Sequence, residues 1–376
     1  MVTFNRADAC AGTETVLLNI GPQHPSTHGV THILVELSGE TVVAAKPILG
    51  YLHRGIEKLA EYRTWQQDLV YADRLDYVSQ IGNEWAYCRA VERLTTIEVP
   101  ERAEWIRTLF CELNRITSHI MWYAGVTMDI GTMGTPFIYA FKARERIYDF
   151  FEAVTGARMM YNYFRFGGVR CDVAPGLLED IHDYLGGEFL ELMDDLDALL
   201  LGNEIVQSRM KGIGAFTTAQ LVEWGITGPF LRASGLAQDL RKDAPYGAYD
   251  KVEFAVPTST VSDSFARCEV RMAEMREAAS ICRQVIERMP EGDISVKVPR
   301  LLKPDAGEVY VRTESPRGEL GIYLVSDGGP KPYRFRVRSP IFYNISALPK
   351  MLPGWKLQDA LVIFGGIDTS MGEIDR

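Results

Sequence analysis

Three of the chain's six histidines, His24, His28 and His32, follow one another at four-residue intervals within "GPQHPSTHGVTH" (residues 21–32). On a helix that spacing would stack the imidazoles on one face. Imidazole is both a common metal ligand and the side chain that titrates nearest neutral pH. The neighbours oppose a helix. Pro25 would lie inside it, removing a backbone donor and clashing with the preceding turn. Gly21, Pro22, Ser26, Thr27 and Gly29 add turn chemistry. On either side, "TVLLNI" (15–20) and "VTHILVELS" (30–38) read as strands, with His32 sharing a face with Leu34 and Glu36, opposite Ile33 and Val35. The segment therefore predicts a β-hairpin whose loop carries His24 and His28. A proton-handling loop and a rigid, solvated turn both fit these residues.

The elements that must hold this loop follow from periodicity. Residues 1–47 read as an N-terminal β region, including a turn at "SGET" (38–41). Residues 48–297 read as a mainly helical core, and 298–376 as a C-terminal β region and tail. "ERAEWIRTLFCELNRITSHIMWYAGVTMDI" (101–130) puts Ile106, Leu109, Phe110, Leu113, Ile116, Ile120 and Met121 on one stripe. Further helices are expected over 137–156, over 176–203 with a break at Gly186 and Gly187, and over 262–289 behind a Ser262/Asp263 cap. The strands expected at the C-terminal end are "EVYVRTES", "GELGIYLVS", "YRFRVRS" and "ALVIFGG", with a hairpin turn at "DGG" (327–329). The fold class is α+β, a central helical bundle flanked by β-structure at both ends.

Bulk properties narrow the function. With 376 residues, 47% hydrophobic and 24% charged, this is an ordinary globular composition with ample core. A net charge of −10 gives nucleic-acid or anionic-lipid binding no electrostatic support. The six cysteines include no C-x-x-C pair, which opposes an iron–sulfur or structural zinc site built by this chain and fits a reducing compartment. No apolar run approaches the roughly eighteen residues that span a bilayer, and no signal-peptide core is visible. The expectation is a soluble protein, or one peripheral to a membrane assembly.

Six ordered segments carry a resemblance: "GPQHPSTHGV", "GYLHRGIEK" (50–58), "RLDY" (74–77), "LRASG" (231–235), "RGELGIYLVSDGG" (317–329) and "MGEIDR" (371–376). Together they resemble the quinone-site D subunit of respiratory complex I, over residues from about 15 to the C-terminus. That family is related to the large subunits of nickel–iron hydrogenases, which hold their metal with two cysteine pairs. The counterparts here, near Arg74 to Tyr77 and in "DTSMGEIDR", contain no cysteine. The resemblance thus implies a hydrogenase-like scaffold without the metal site, its cavity serving quinone as substrate. It further implies proton pumping by the whole complex, and electrons from a [4Fe–4S] cluster on a neighbouring subunit, with no cofactor held by this chain alone. The implied partners are the B and C subunits, the cluster-bearing I subunit and the membrane-embedded H subunit, at the cytoplasmic face of the cell membrane or its equivalent.

Quinone reduction consumes two electrons and two protons, so the head-group carbonyls need donors that can be reprotonated. A phenol and an imidazole, with ordinary pKa values of about 10 and 6.5, suit that task. By resemblance these are Tyr77 and His28. Asp129, in "MDIG", would pair with His28 to fix its tautomer and favour its protonated form. Without the match Tyr77 is one of seventeen tyrosines, readable as a core phenol bonded to a carbonyl, and Asp129 is a helix-end carboxylate. His24 is expected to hold the loop, and His32 to be a packed or surface histidine. Arg54 and Arg74 match arginines close to the partner's cluster; the plain alternative is a structural salt bridge, for Arg54 with Glu57.

Two departures stand out. Where relatives carry a histidine within "RMMYNYFRFGG" (158–168), this chain has Met160 and Tyr161, which predicts a weaker or differently carried pH dependence of the cluster's potential. The junction between "VPRLL" (298–302) and "GEVYV" (307–311) is shorter than usual for the family, which would alter a contact with a neighbouring chain. Three rival readings are a hydrogenase with its own metal, opposed by the missing cysteine pairs, a non-catalytic scaffold, and the same subunit in an enzyme fed by ferredoxin or reduced deazaflavin.

Overall fold

The computed structural model describes residues 15–23, 29–132 and 134–376. Its first element is an antiparallel sheet of β1 (Val16–Ile20), β2 (His32–Ser38) and β3 (Thr41–Ile48), in that order. β1 and β2 pair from Val16 opposite Leu37 to Ile20 opposite Ile33, the hairpin partners that the strand pattern predicts. His24 and His28 lie outside the described residues. His32 sits on the partly exposed face, with Nδ1 3.0 Å from the Tyr51 hydroxyl and Nε2 2.9 Å from Asn19 Oδ1. At Gly39 φ is +62°, the left-handed geometry that lets a two-residue turn join β2 to β3.

The helical centre comprises α1 (Ile56–Ala60), α2 (Trp65–Asp73), α3 (Gln80–Thr95), α4 (Glu101–Ile130) and α5 (Thr135–Thr155), then, after the two-residue strands β4 (Phe164–Arg165) and β5 (Gly168–Val169), α6 (Pro175–Gly186) and α7 (Glu188–Leu200). Short helices α8 (Glu204–Met210), α9 (Thr218–Glu223), α10 (Pro229–Arg232) and α11 (Leu240–Asp243) lead to α12 (Ser264–Arg288). α4 is the spine, packed along α5 and α12. It stops where Gly131 takes φ +85°, the usual glycine exit from a helix. The break between α6 and α7 falls at Gly187. α12 starts where the Asp263 carboxylate accepts the Ala266 N–H.

A second antiparallel sheet follows, β6 (Gly307–Ser315), β7 (Gly318–Ser326) and β8 (Arg334–Arg338). Ser315 pairs with Gly318, so residues 316 and 317 form a tight hairpin tip. The expected turn at "DGG" opens a longer connection, residues 327–333, in which Asp327 Oδ1 accepts the Gly329 N–H at 2.9 Å. After β8 the chain is helical: α13 (Pro340–Ser346), α14 (Leu348–Met351), α15 (Leu357–Gly365) and α16 (Met371–Asp375).

"ALVIFGG" is therefore not the expected strand but most of α15. The reason is its position between two cores. Val362 joins the large cluster around α3, α4, α5 and α12, whereas Ala360, Ile363 and Phe364 join a second cluster formed with Ile33, Val35 and Leu37 of β2. A helix buried on several sides is apolar all round and shows no stripe; a short apolar run then reads equally as a strand. The second cluster binds the N-terminal sheet to the C-terminal helices, placing β2 beside the last residues of the chain.

Candidate functional site

A cavity of about 520 Å³ opens where α4, the turn after α2, the β6–β7 tip and the bend before α16 converge. That volume suits a small ring system. α4 supplies one wall through Met121, Trp122, Gly125, Met128 and Asp129, positions spaced to share a helix face. Val78 and Phe137 extend the apolar lining. The polar exceptions are Tyr77, Asp129, Arg317, Asp368 and Thr369.

Tyr77 is presented by the turn from α2 into α3, where Asp76 Oδ1 accepts the Val78 N–H at 3.0 Å. Burial, then the negative charge of Asp76, push the phenol above its ordinary range, with Arg317 acting in the opposite direction. Tyr77 thus holds its proton at neutral pH. Gly372 lets α16 lie flush on this turn: a Cβ there would meet Leu75 O at 2.7 Å, Tyr77 Cδ1 at 3.1 Å and an Arg54 Nη at 3.2 Å.

Asp129, in the last turn of α4, lines the same cavity, so the structure brings Tyr77 and Asp129 together. Gly29, the neighbour of His28 in the chain, lines it too, and a Cβ on Gly29 would lie 3.9 Å from the Tyr77 hydroxyl. The backbone that follows His28 therefore passes the phenol.

Sequence reasoning assigned no role to Arg317, the residue that organises the floor. From the hairpin tip its guanidinium donates to the Asp76 carboxylate, to Ser118 Oγ at 3.1 Å, and to both the carbonyl and Oδ1 of Asp368 at 3.0 Å. Burial opposes its charge, but Asp368 and Asp76 outweigh that and hold it firmly protonated. Beneath lies Glu373, fully buried and pushed up to about 8 by burial and then by Asp76. A hairpin tip is ordinarily solvated, so the only signal for Arg317 was its place in the quoted "RGELG" segment.

Arg54 and Arg74 form a layer beside Tyr77. Arg54 donates to Arg74 O at 3.0 Å and to Gly372 O at 2.8 Å, and burial lowers its pKa. The partly exposed Arg74 donates to Val70 O at 3.1 Å and Asp73 Oδ2 at 3.2 Å. Glu57 pairs not with Arg54 but with Arg336 at 3.3 Å and Arg376 at 3.5 Å.

Among the described residues no cluster of three or more His, Cys, Asp or Glu side chains is placed to hold a metal, and no helix is long and apolar enough to cross a membrane.

The sequence profile of the 49 kDa subunit of respiratory-chain NADH dehydrogenase matches residues 129–306 and 298–376. A protein from Dehalococcoides mccartyi, the D subunit of an NADH-quinone oxidoreductase, is 48% identical over 97% of this chain and 99% of its own length. The proteins of the same name from Carboxydothermus hydrogenoformans and Bacillus cytotoxicus are 46% and 43% identical, each over 96% of this chain and 99% of their own. With the match running through α4, the β6–β7 hairpin and the tail that together wall the cavity, the chain belongs to the 49 kDa subunit family of respiratory-chain NADH dehydrogenase, known in bacteria as the D subunit of NADH-quinone oxidoreductase.

Proposed function

We propose that this chain forms most of the quinone head-group cavity of a proton-pumping NADH:quinone oxidoreductase and supplies the protons for quinone reduction. The observation that carries the reading is the convergence of Tyr77, Asp129 and the residue after His28 on one cavity with a largely apolar wall. Two electrons and two protons convert the two head-group C=O groups into C–O–H. The Tyr77 hydroxyl gives one proton to the carbonyl oxygen nearest it. His28, oriented and kept protonated by Asp129, gives the other. The raised pKa of Tyr77 keeps the phenol intact until negative charge has grown on the quinone oxygen, and Arg317 stabilises the phenolate left behind.

The electrons come from a [4Fe–4S] cluster on the neighbouring B subunit. Arg54 and Arg74 face that donor, where cationic charge favours an added electron. The same reading makes the scaffold hydrogenase-like with its metal site lost. It places the chain at the cytoplasmic face of the membrane, against the B, C and I subunits and the membrane-embedded H subunit. A ferredoxin- or deazaflavin-fed enzyme would differ in its donor subunits, so co-purification of NADH-oxidising flavin subunits separates the two.

The test is Tyr77→Phe in membranes carrying the assembled complex, with quinone reduction and electron flow to a hydrophilic artificial acceptor followed in parallel. Collapse of the first with survival of the second is expected. Survival of both would return the chain to the role of scaffold.

A further inference from the structure

The quinone chemistry leaves unused two buried carboxyl groups where α2 meets α3. Asp73 ends α2 and Glu84 lies in α3, and both side chains are fully buried. Glu84 Oε2 accepts two backbone N–H bonds, from Tyr163 at 3.0 Å and Phe164 at 2.9 Å. Asp73 Oδ2 takes Arg74 Nη1 at 3.2 Å, and the Tyr161 backbone also bonds to Asp73. The remaining oxygens, Asp73 Oδ1 and Glu84 Oε1, find no N–H or hydroxyl donor among the described residues. Instead the two carboxyl groups are within hydrogen-bonding contact of each other. A carboxylate has only acceptors, so two ionised groups could not make that bond, and two like charges in a dry interior would repel strongly.

We propose that Asp73 and Glu84 share one proton, forming a buried proton-binding site of net charge −1 beside Arg74. The site is distinct from the quinone cavity and stands whether or not that cavity binds quinone.

The surroundings suit a retained, exchangeable proton. The cations facing the pair are Arg74 from the end of α2 and Arg165 from β4. From α3 and α4 come Cys88 and Cys111, and from the segment before β4 the Tyr161 phenol, all of them kept neutral by burial. Burial and then mutual repulsion raise Glu84 well above the carboxylate range, and burial raises Asp73. One negative charge is thus compensated by Arg74 and Arg165, while loss of the proton would set a second carboxylate charge against the first in the same dry interior. Because the Arg74 carbonyl anchors Arg54, that extra charge would act on the arginine layer that flanks Tyr77.

Isosteric amides test the sharing. In Glu84→Gln the amide N–H can replace the shared proton towards Asp73, and the amide oxygen can keep the Tyr163 and Phe164 bonds; Asp73→Asn does the reverse. Infrared difference spectra of the assembled complex at neutral pH, wild type minus variant, should show a protonated-carboxyl C=O band, sensitive to deuterium exchange, that is lost in each variant. Loss in only one variant would assign the proton to that residue alone and overturn the proposal, as would absence of the band from both differences. Should one variant fail to assemble, a band retained in the other still refutes the pair.

Discussion

Arg317 Nη2 lies 3.0 Å from Asp368 Oδ1, tying the tip of the β6–β7 hairpin to the bend that precedes α16. Since the same guanidinium holds Asp76, beside Tyr77, one buried cation fixes three segments that are remote in sequence. Removing one partner of such a pair leaves uncompensated buried charge, at about 3–5 kcal/mol. Arg317→Ala is expected to lose the assembled complex or lower its unfolding temperature. Arg317→Lys keeps the charge but not the fork. Losing one charge-assisted hydrogen bond of about 1.5 kcal/mol predicts quinone reduction about tenfold slower, with the artificial-acceptor rate intact. An unchanged quinone rate in Arg317→Lys would show that the fork is dispensable.

Gly372→Ala acts on the same turn from the other side. Its new methyl would lie 2.7 Å from Leu75 O and 3.1 Å from Tyr77 Cδ1, inside ordinary contact distance. Overpacking of this kind costs about 1–3 kcal/mol, and the turn bearing Tyr77 is what must yield. Quinone reduction should fall while assembly and artificial-acceptor activity persist. An unaffected Michaelis constant and rate for quinone would mean that the turn does not border the head group.

What the sequence makes legible here depends on how local the cause is. The ends of α4 and α12 are written in neighbouring residues, through Gly131 and the Asp263 cap, and the pairing of β1 with β2 in an alternating pattern broken by Pro25 and Gly29. The identity of α15 is not, because its apolar faces answer to two different cores. Tyr77 and Asp129 could be chosen from their kind only through the family's motifs. Arg317, Asp368 and Glu373 escaped because their roles arise from contacts between distant segments. Even the salt bridge offered for Arg54 with Glu57 failed for this reason, Glu57 being claimed by Arg336 and Arg376.

Glu373 carries a pH signature. Its folded pKa, about 8, lies above the ordinary 4.5, so between those values the folded chain binds more of this proton than the unfolded chain. The contribution to stability is fully present below pH 4.5 and is lost as pH rises through 8. Glu373→Gln, neutral throughout, should therefore lose less stability than wild type between those limits, by an amount on the order of a few kcal/mol. Unfolding midpoints of the complex measured across that range test this. Parallel pH profiles for the two proteins would mean that Glu373 is ionised in the fold.

Met160, which with Tyr161 stands on the proposed reading where many relatives carry a histidine, has a left-handed backbone conformation with φ +57°, which histidine tolerates better than most residues. No imidazole is present at either position, so on the proposed reading the potential of a cluster held by the partner should vary less steeply with pH than when a histidine is present. The neighbouring Tyr161 backbone bonds to Asp73, so the Asp73–Glu84 proton is a candidate route for such coupling. Redox titrations at several pH values, in wild type, Met160→His and Glu84→Gln, separate the contributions. The expected order of pH slopes is Met160→His steepest and Glu84→Gln shallowest. A steep wild-type slope that persists in Glu84→Gln would refute both the weakened coupling and its assignment to the carboxyl pair.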